Sequence, residues 1–209
     1  MNPIKESEVI QKSFFHRPAD IVAPELIGCM LLKKETNGKI LWGIIVETEA
    51  YSQIEPACHG HKRKTASNQT LFGDPGHFYV YITYGIYYCV NVVTDKSDFA
   101  SGVLLRAIAM PNESERIAAG PGLLAKRFGI NQTHDSMPIS PTNGLWLARQ
   151  ISKQSLRKII KTTRIGISHG TDLTWRWYLQ NSRSVSKRMK GDKCPPKTNC
   201  FFPEMSKNP

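Results

Sequence analysis

Glu47 and Glu49 stand at alternate positions of the run Val46-Glu47-Thr48-Glu49-Ala50-Tyr51. On an extended strand, side chains two apart share a face at about 6.6–7 Å. Two carboxylates and the Tyr51 ring therefore point the same way. Paired carboxylates are the equipment of glycosidic-bond hydrolysis: a gap of about 5–5.5 Å suits a covalent intermediate, and a wider one leaves room for a water. Thirty residues further on, Tyr79, Tyr81, Tyr84, Tyr87 and Tyr88 crowd five of the chain's 7 tyrosines into one segment. Flat rings suit nucleobases. Extruding a base from a duplex costs a few kcal/mol, and each base–aromatic stack returns about 1–3 kcal/mol. One ring would not offset the flip; a sandwich of Tyr51 and Tyr81 with a wedge from Tyr84 would. The same residues also fit a plainer account, a solvated strand face with two harmless glutamates beside tyrosines that pack the core. That account handles Tyr79 or Tyr88 well and a tyrosine at a turn poorly.

The elements that must position these groups are legible in outline. Residues 18–27 read as a short helix ended by Gly28, and residues 29–34 as a strand. Asn37-Gly38 marks a hairpin turn, because both positions tolerate positive φ. The returning strand, residues 39–51, has Ile44, Val46, Thr48 and Ala50 on one face and Ile45, Glu47, Glu49 and Tyr51 on the other, which makes the second face a wet surface or a cleft. Residues 52–77 read as a loop with a basic cluster at His61-Lys62-Arg63-Lys64. Residues 78–91 form a second hairpin turning near Tyr84-Gly85. Tyr79 and Tyr81 share one face of it, and Val80 and Ile82 the other. A strand over residues 103–108 is apolar except for Arg106. Residues 111–119 read as a helix, and Pro121 opens another that stops at Gly129. Residues 136–170 carry no acid, while Arg149, Lys153, Arg157, Lys158, Lys161 and Arg164 are basic. A final strand covers residues 175–179. The expected architecture is a single mixed α/β (α+β) domain over residues 1–186: a curved, mainly antiparallel sheet with short helices around it and a protruding hairpin. Residues 187–209 read as a flexible basic tail carrying six basic and two acidic residues.

Composition narrows the partners. The 209 residues carry 28 basic against 17 acidic side chains, a formal charge of +11. Such an excess favours nucleic acid first and anionic membrane second. The longest apolar run, residues 26–32, falls far short of the roughly 20 residues of a membrane span, and the N-terminus lacks the apolar core of a signal peptide. An intracellular protein is expected: cytoplasmic in a bacterium, nuclear in a eukaryote. Five cysteines without regular spacing fit a reducing compartment. Cys58-His59-Gly60-His61, with Cys194 or Cys200, lacks the spaced ligand pairs of zinc sites; no metal and no cofactor is expected.

Glu47-Thr48-Glu49-Ala50-Tyr51, Tyr79-Val80-Tyr81-Ile82-Thr83-Tyr84-Gly85 and Leu104-Leu105-Arg106-Ala107 resemble the signature segments of the alkyladenine DNA glycosylase family, the mammalian type of 3-methyladenine DNA glycosylase, found also in bacteria. Gly120-Pro121-Gly122-Leu123, Leu145-Trp146-Leu147 and Arg164-Ile165-Gly166 continue the match in order, from about residue 15 to 185. The resemblance implies a role for each matching position. Glu49 is the general base that activates water, and Arg106 helps to hold that water, with the backbone near Val185 close by. Tyr51, His59 and Tyr81 line the pocket for the flipped base, His59 donating a hydrogen bond. Asn91 crowds out the exocyclic amine of normal guanine. Tyr84 fills the gap in the duplex, with Ile86 beside it where mammalian members carry methionine. The loop before His59 is one residue shorter than theirs. The implied protein is a monomer acting on double-stranded DNA that contains alkylated or deaminated purines. It hydrolyses the N-glycosidic bond, leaves an abasic site and uses no amine nucleophile. Two other classes share part of the pattern: a non-catalytic nucleic-acid-binding module, which leaves the glutamates unexplained, and a nucleoside or sugar glycosidase, which leaves the basic excess unexplained.

Overall fold

The structure, a computed structural model, describes residue 4, residues 7–150 and residues 158–197. Expectations for Lys153, Arg157, Cys200 and the end of the basic tail lie outside the described residues. In chain order the elements are β1 (Ser7–Val9), α1 (Ala19–Leu26), β2 (Met30–Lys34), β3 (Ile40–Ser52), β4 (Phe78–Thr83), β5 (Tyr87–Val93), β6 (Ser101–Ala109), α2 (Pro121–Phe128), β7 (Leu145–Gln150), β8 (Ile159–Thr162) and β9 (Arg176–Leu179). The strands form one curled antiparallel sheet in the order β1-β7-β2-β3-β6-β5-β4, with β9 joining β3 to β8. The expected fold class is what is found.

β3 is the spine. At 13 residues it outlasts any single neighbour. It pairs with β2 over its first half, with β9 from Glu47 to Glu49, and with β6 from Ile44 to Ser52. The alternation of its side chains follows the sequence. On one face Val46 and Ala50 enter the main core, and the Thr48 hydroxyl donates to the Ala23 carbonyl of α1 at 2.9 Å. On the other face Glu47 and Glu49 are 0% exposed, so the expected wet surface is in fact sealed. Of the two expected readings, wet surface or cleft, the first is excluded: Arg106 of β6, Arg176 of β9 and the segments after β8 and β9 close over this face.

The β3–β6 ladder breaks register at the place that matters. Ile45 pairs with Ile108, Glu47 with Ala107 and Thr48 with Leu105. Val46 is the extra residue on one strand and Arg106 on the other. Bulges re-aim side chains and recur beside active sites; here one turns Arg106 toward the two glutamates.

The β4–β5 hairpin closes through a three-residue connection, Tyr84 to Ile86, in which Tyr84 (φ 51°) and Gly85 (φ 70°) are both left-handed. Gly85 adopts this freely, whereas an L-residue there costs about 1–2 kcal/mol. Residues 52–77, expected to be irregular, contain a 3₁₀ turn at Gln69–Phe72 that buries Leu71 and Phe72. With Cys58, Tyr79, Val93 and Ala100 they form a second, smaller core, and Tyr51 and Tyr81 pack against it. The helix expected over residues 111–119 is absent. Asn112 adopts φ 59°, which no helix continues through, and the segment returns to β6, where the Ile108 amide donates to the Ala118 carbonyl. α2 runs as expected from Pro121 to the left-handed stop at Gly129. Residues 187–192, assigned by composition to the tail, supply Arg188 and Asp192 to a hydrogen-bonded cluster with Tyr178.

Candidate active site

Glu49 sits at the centre of the sealed face. Its Oε1 accepts the Ile165 amide at 2.8 Å. Its Oε2 accepts the Tyr51 hydroxyl at 2.9 Å and Arg106 Nη1 at 3.2 Å. Burial raises its pKa; the Arg106 guanidinium, the Ile165 amide and the Tyr51 hydroxyl pull the other way, and the Glu47 charge adds to the rise. Glu47 is differently occupied. Its Oε1 takes Arg176 Nη1 at 2.6 Å and its Oε2 takes the Ser186 amide at 2.7 Å, and Arg106 Nε stands 3.4 Å from Oε1. Two carboxylates thus face two guanidiniums in a dry interior, where charges are tolerated only when paired and hydrogen-bonded.

Against this floor lies a cavity of ≈ 230 Å³. Tyr51, His59, Tyr81, Asn91 and Arg106, all singled out in the sequence, line it, and Tyr84 stands at its rim. Glu49 does not line the cavity; Tyr51 and Arg106 do, and both hold its Oε2. The His59 and Tyr81 rings meet with centroids 4.3 Å apart at 64°. Burial lowers the His59 pKa, which favours the neutral ring, and its Nδ1 lies 3.3 Å from the Tyr79 hydroxyl. Burial likewise raises Tyr51 and Tyr81 far above the ordinary phenol value, so both remain protonated donors. Asn91 Nδ2 donates to the Tyr79 carbonyl at 3.1 Å, which fixes its amide across β4 and β5.

At the hairpin tip Tyr84 is 85% exposed and Ile86 68%; Ile86 does not reach the cavity. Tyr87, expected to pack in the core, is half exposed. It leans on Gly122 of α2, where a Cβ would meet its ring at 2.9 Å. The Val185 carbonyl, expected near the water, accepts Arg116 Nη1 at 2.8 Å.

Sequence reading missed four contributors. The Ile165 amide and the Ser186 amide are backbone groups, which carry no side-chain signal. Arg176 was visible only as a basic residue between tryptophans. Asn68 clamps the long loop by donating to the His59 and Arg63 carbonyls, a role that needs the folded loop to be seen. Among the described residues no three His, Cys, Asp or Glu side chains gather as metal ligands, and no helix is long and apolar enough to cross a membrane.

Residues 13–183 match the model of the methylpurine-DNA glycosylase family, and the chain belongs to that family. It is 44% identical over 172 residues to a protein of Synechococcus elongatus, spanning 82% of this chain and 88% of the relative. It is 41% identical to one of Trichodesmium erythraeum, spanning 87% and 98%. A third relative, from Carboxydothermus hydrogenoformans, is 39% identical over 86% of this chain and 100% of its own length. All three are assigned by name as 3-methyladenine DNA glycosylases. The chain is therefore a DNA glycosylase for alkylated bases, and DNA is its substrate.

Proposed function

We propose that the protein flips a damaged purine out of duplex DNA into the cavity lined by Tyr51, His59 and Tyr81, and hydrolyses its N-glycosidic bond with a water activated by Glu49. The observation that carries this reading is how the Glu49 oxygens are filled. A carboxylate oxygen accepts about two hydrogen bonds. Oε2 has two donors, Tyr51 and Arg106, and Oε1 has one, the Ile165 amide, among the described residues. Oε1 keeps a lone pair that can accept a water proton. A raised pKa brings the carboxylate closer to the operating pH, which is where a general base works best.

The water oxygen bonds to C1′ as the C1′–N bond breaks and its electron pair leaves with the base. Glu49 takes the water proton. The oxocarbenium character that develops at C1′ is favoured by the nearby carboxylate charge in a water-poor site. A purine alkylated at N3 or N7 is already cationic and departs as a neutral base; a neutral lesion such as hypoxanthine or ethenoadenine must gain a proton as it leaves. Arg106, tied to Glu49 and lining the cavity, helps to hold the water. Tyr51 and Tyr81 receive the base, and His59 lines the pocket beside Tyr81, its Nδ1 facing the Tyr79 hydroxyl, which itself donates to the Ser67 carbonyl. Asn91 screens the exocyclic group of normal guanine, Tyr84 occupies the gap in the duplex, and Ile86 packs in the groove beside it. No lysine lines the cavity, and Lys64 is drawn off to Asp98 at 3.5 Å. Those placements support a monofunctional enzyme that leaves an abasic site uncut.

Duplexes bearing 7-methylguanine, hypoxanthine or ethenoadenine, treated with protein and then with alkali, test this. Wild-type protein gives breaks at lesions only after alkali. Glu49→Gln binds the same duplexes and releases base about 10²–10⁴-fold more slowly, the usual contribution of a general base. Breaks before alkali would overturn the monofunctional mechanism, and wild-type turnover by Glu49→Gln would overturn the assignment of the base.

A further inference from the structure

Behind the Tyr51 ring lies an ion pair that the chemistry above does not use. Arg164 and Glu55 have side chains 0% and 4% exposed and are joined by two bonds, Nη1–Oε1 at 2.7 Å and Nη2–Oε2 at 2.8 Å. Nη1 also donates to the Ala50 carbonyl, between Glu49 and Tyr51 on β3, at 3.0 Å. Nη2 donates to the Gly170 carbonyl at 3.1 Å. The guanidinium carbon lies 4.7 Å from the Tyr51 ring centroid and 5.8 Å from that of Trp175. Gly170 is left-handed, and a Cβ there would come within 3.0 Å of both Arg164 and Glu55. The fit is tight enough that Arg164 Nε is the one buried side-chain nitrogen or oxygen without a partner among the described residues.

The placement of this pair is more informative than its strength. Buried ion pairs are weak sources of stability, since desolvation cancels much of the attraction. Yet this one touches three walls of the cavity. It backs the Tyr51 ring. It is followed in the chain by Ile165, whose amide holds Glu49 Oε1, and by Gly166 and Ile167, which line the cavity. It anchors Glu55, whose Oε2 also accepts the Ala57 amide and so starts the turn that leads to His59. Arg164 itself does not line the cavity.

We infer that Arg164, clamped by Glu55, is a positioning residue for base excision: it braces Tyr51 from behind and fixes the Ile165 amide against Glu49. The inference rests on Glu49 acting as the base. Both Tyr51 and Ile165 are donors that favour the ionised carboxylate, so loosening them moves Glu49 toward its protonated form. The other charged and titratable groups that act on Glu49 are Glu47 on β3, Cys89 on β5, Arg106 on β6 and Arg164 itself, whose charge the lysine variant keeps. The base acts only when ionised. Weaker donors therefore shift the acid limb of the excision profile to higher pH.

Single-turnover release of 7-methylguanine from duplex DNA, followed from pH 5 to 9, reads this directly. A cationic leaving group needs no general acid, so the acid limb reports the base alone. Arg164→Lys keeps the charge but loses the two-pronged grip. Glu55→Asp keeps the charge of the partner, shortens its reach and carries the test if the lysine variant does not fold. The acid limb of either variant moves up by about one pH unit, with release about tenfold slower on the limb and within about threefold on the plateau. An equal loss at every pH, or an unmoved limb in protein that melts and binds DNA normally, would overturn the inference while leaving the role of Glu49 intact. A Glu49→Gln control that excises at the wild-type rate would instead overturn the proposed function, and this inference with it.

Discussion

The floor of the site and the tip of the hairpin depart from ordinary protein architecture in opposite directions. The floor puts charge where water is absent: Glu47, Glu49, Arg106 and Arg176, held by partners from β3, β6, β9 and the segments that follow β8 and β9. The tip puts apolar surface where water is abundant: Tyr84 and Ile86, the former in a left-handed backbone that a glycine would adopt more easily. A chain shaped by stability alone would avoid both, since buried charge must overcome desolvation and an exposed ring forfeits burial. The floor compensates internally, with each carboxylate oxygen bonded. The tip has no internal compensation, so its partner must come from outside the chain. The first region should therefore be sensitive in the free protein and the second only on DNA.

The largest effect is expected in the floor. Glu47→Ala leaves the Arg176 charge buried with only the Thr163 and Lys187 carbonyls for partners, and the Ser186 amide without its acceptor. Removing one partner of a buried pair costs about 3–5 kcal/mol, which for a chain of this size lowers the melting temperature by roughly 6–20 °C. Thermal unfolding followed by circular dichroism measures it. A drop of under about 2 °C, less than 1 kcal/mol on that scale, would mean that the floor is not internally compensated.

The tip should behave in reverse. Tyr84→Gly relieves the left-handed strain, although glycine gives back part of the gain through the greater freedom of the unfolded chain, about 0.4–1 kcal/mol. The melting temperature should stay level or rise by no more than about 3 °C. Excision from duplex DNA should meanwhile fall about 10–100-fold, the equivalent of one lost stack of about 1–3 kcal/mol, while excision from single strands changes little. Equal losses on both substrates would show that Tyr84 serves the cavity rather than the duplex.

The sequence made the two regions legible to different degrees. The tip was readable because it is local: a tyrosine beside a glycine between two alternating strands specifies both a turn and an exposed ring. The alternation of β3 assigned Glu47, Glu49 and Tyr51 to one face for the same reason. Alternation cannot say whether that face is open. Its closure depends on contacts more than a hundred residues away, such as Ile165 to Glu49 and Arg176 to Glu47, which leave no periodic trace. The bulge that turns Arg106 inward is a feature of pairing between strands and not of either strand alone. The helix expected over residues 111–119 failed because propensity carried no information about the left-handed Asn112 or the return of Ala118 to β6.

The smallest effect separates the two residues of the tip. Ile86 is exposed like Tyr84 but has no ring to stack and does not reach the cavity, so its contribution is limited to apolar area buried in the groove. Truncation to alanine forfeits at most about 1 kcal/mol of a partly buried side chain, which is roughly fivefold in duplex excision at limiting protein. The melting temperature should not move. If the two side chains fill one gap together, Ile86→Ala should cost less in the Tyr84→Gly background than alone, because residues that share a partner are not additive. Full additivity would instead mean that Ile86 grips the groove independently of the base that has left it. The tip would then be two contacts, whereas the floor, its two carboxylates joined through Arg106, behaves as one.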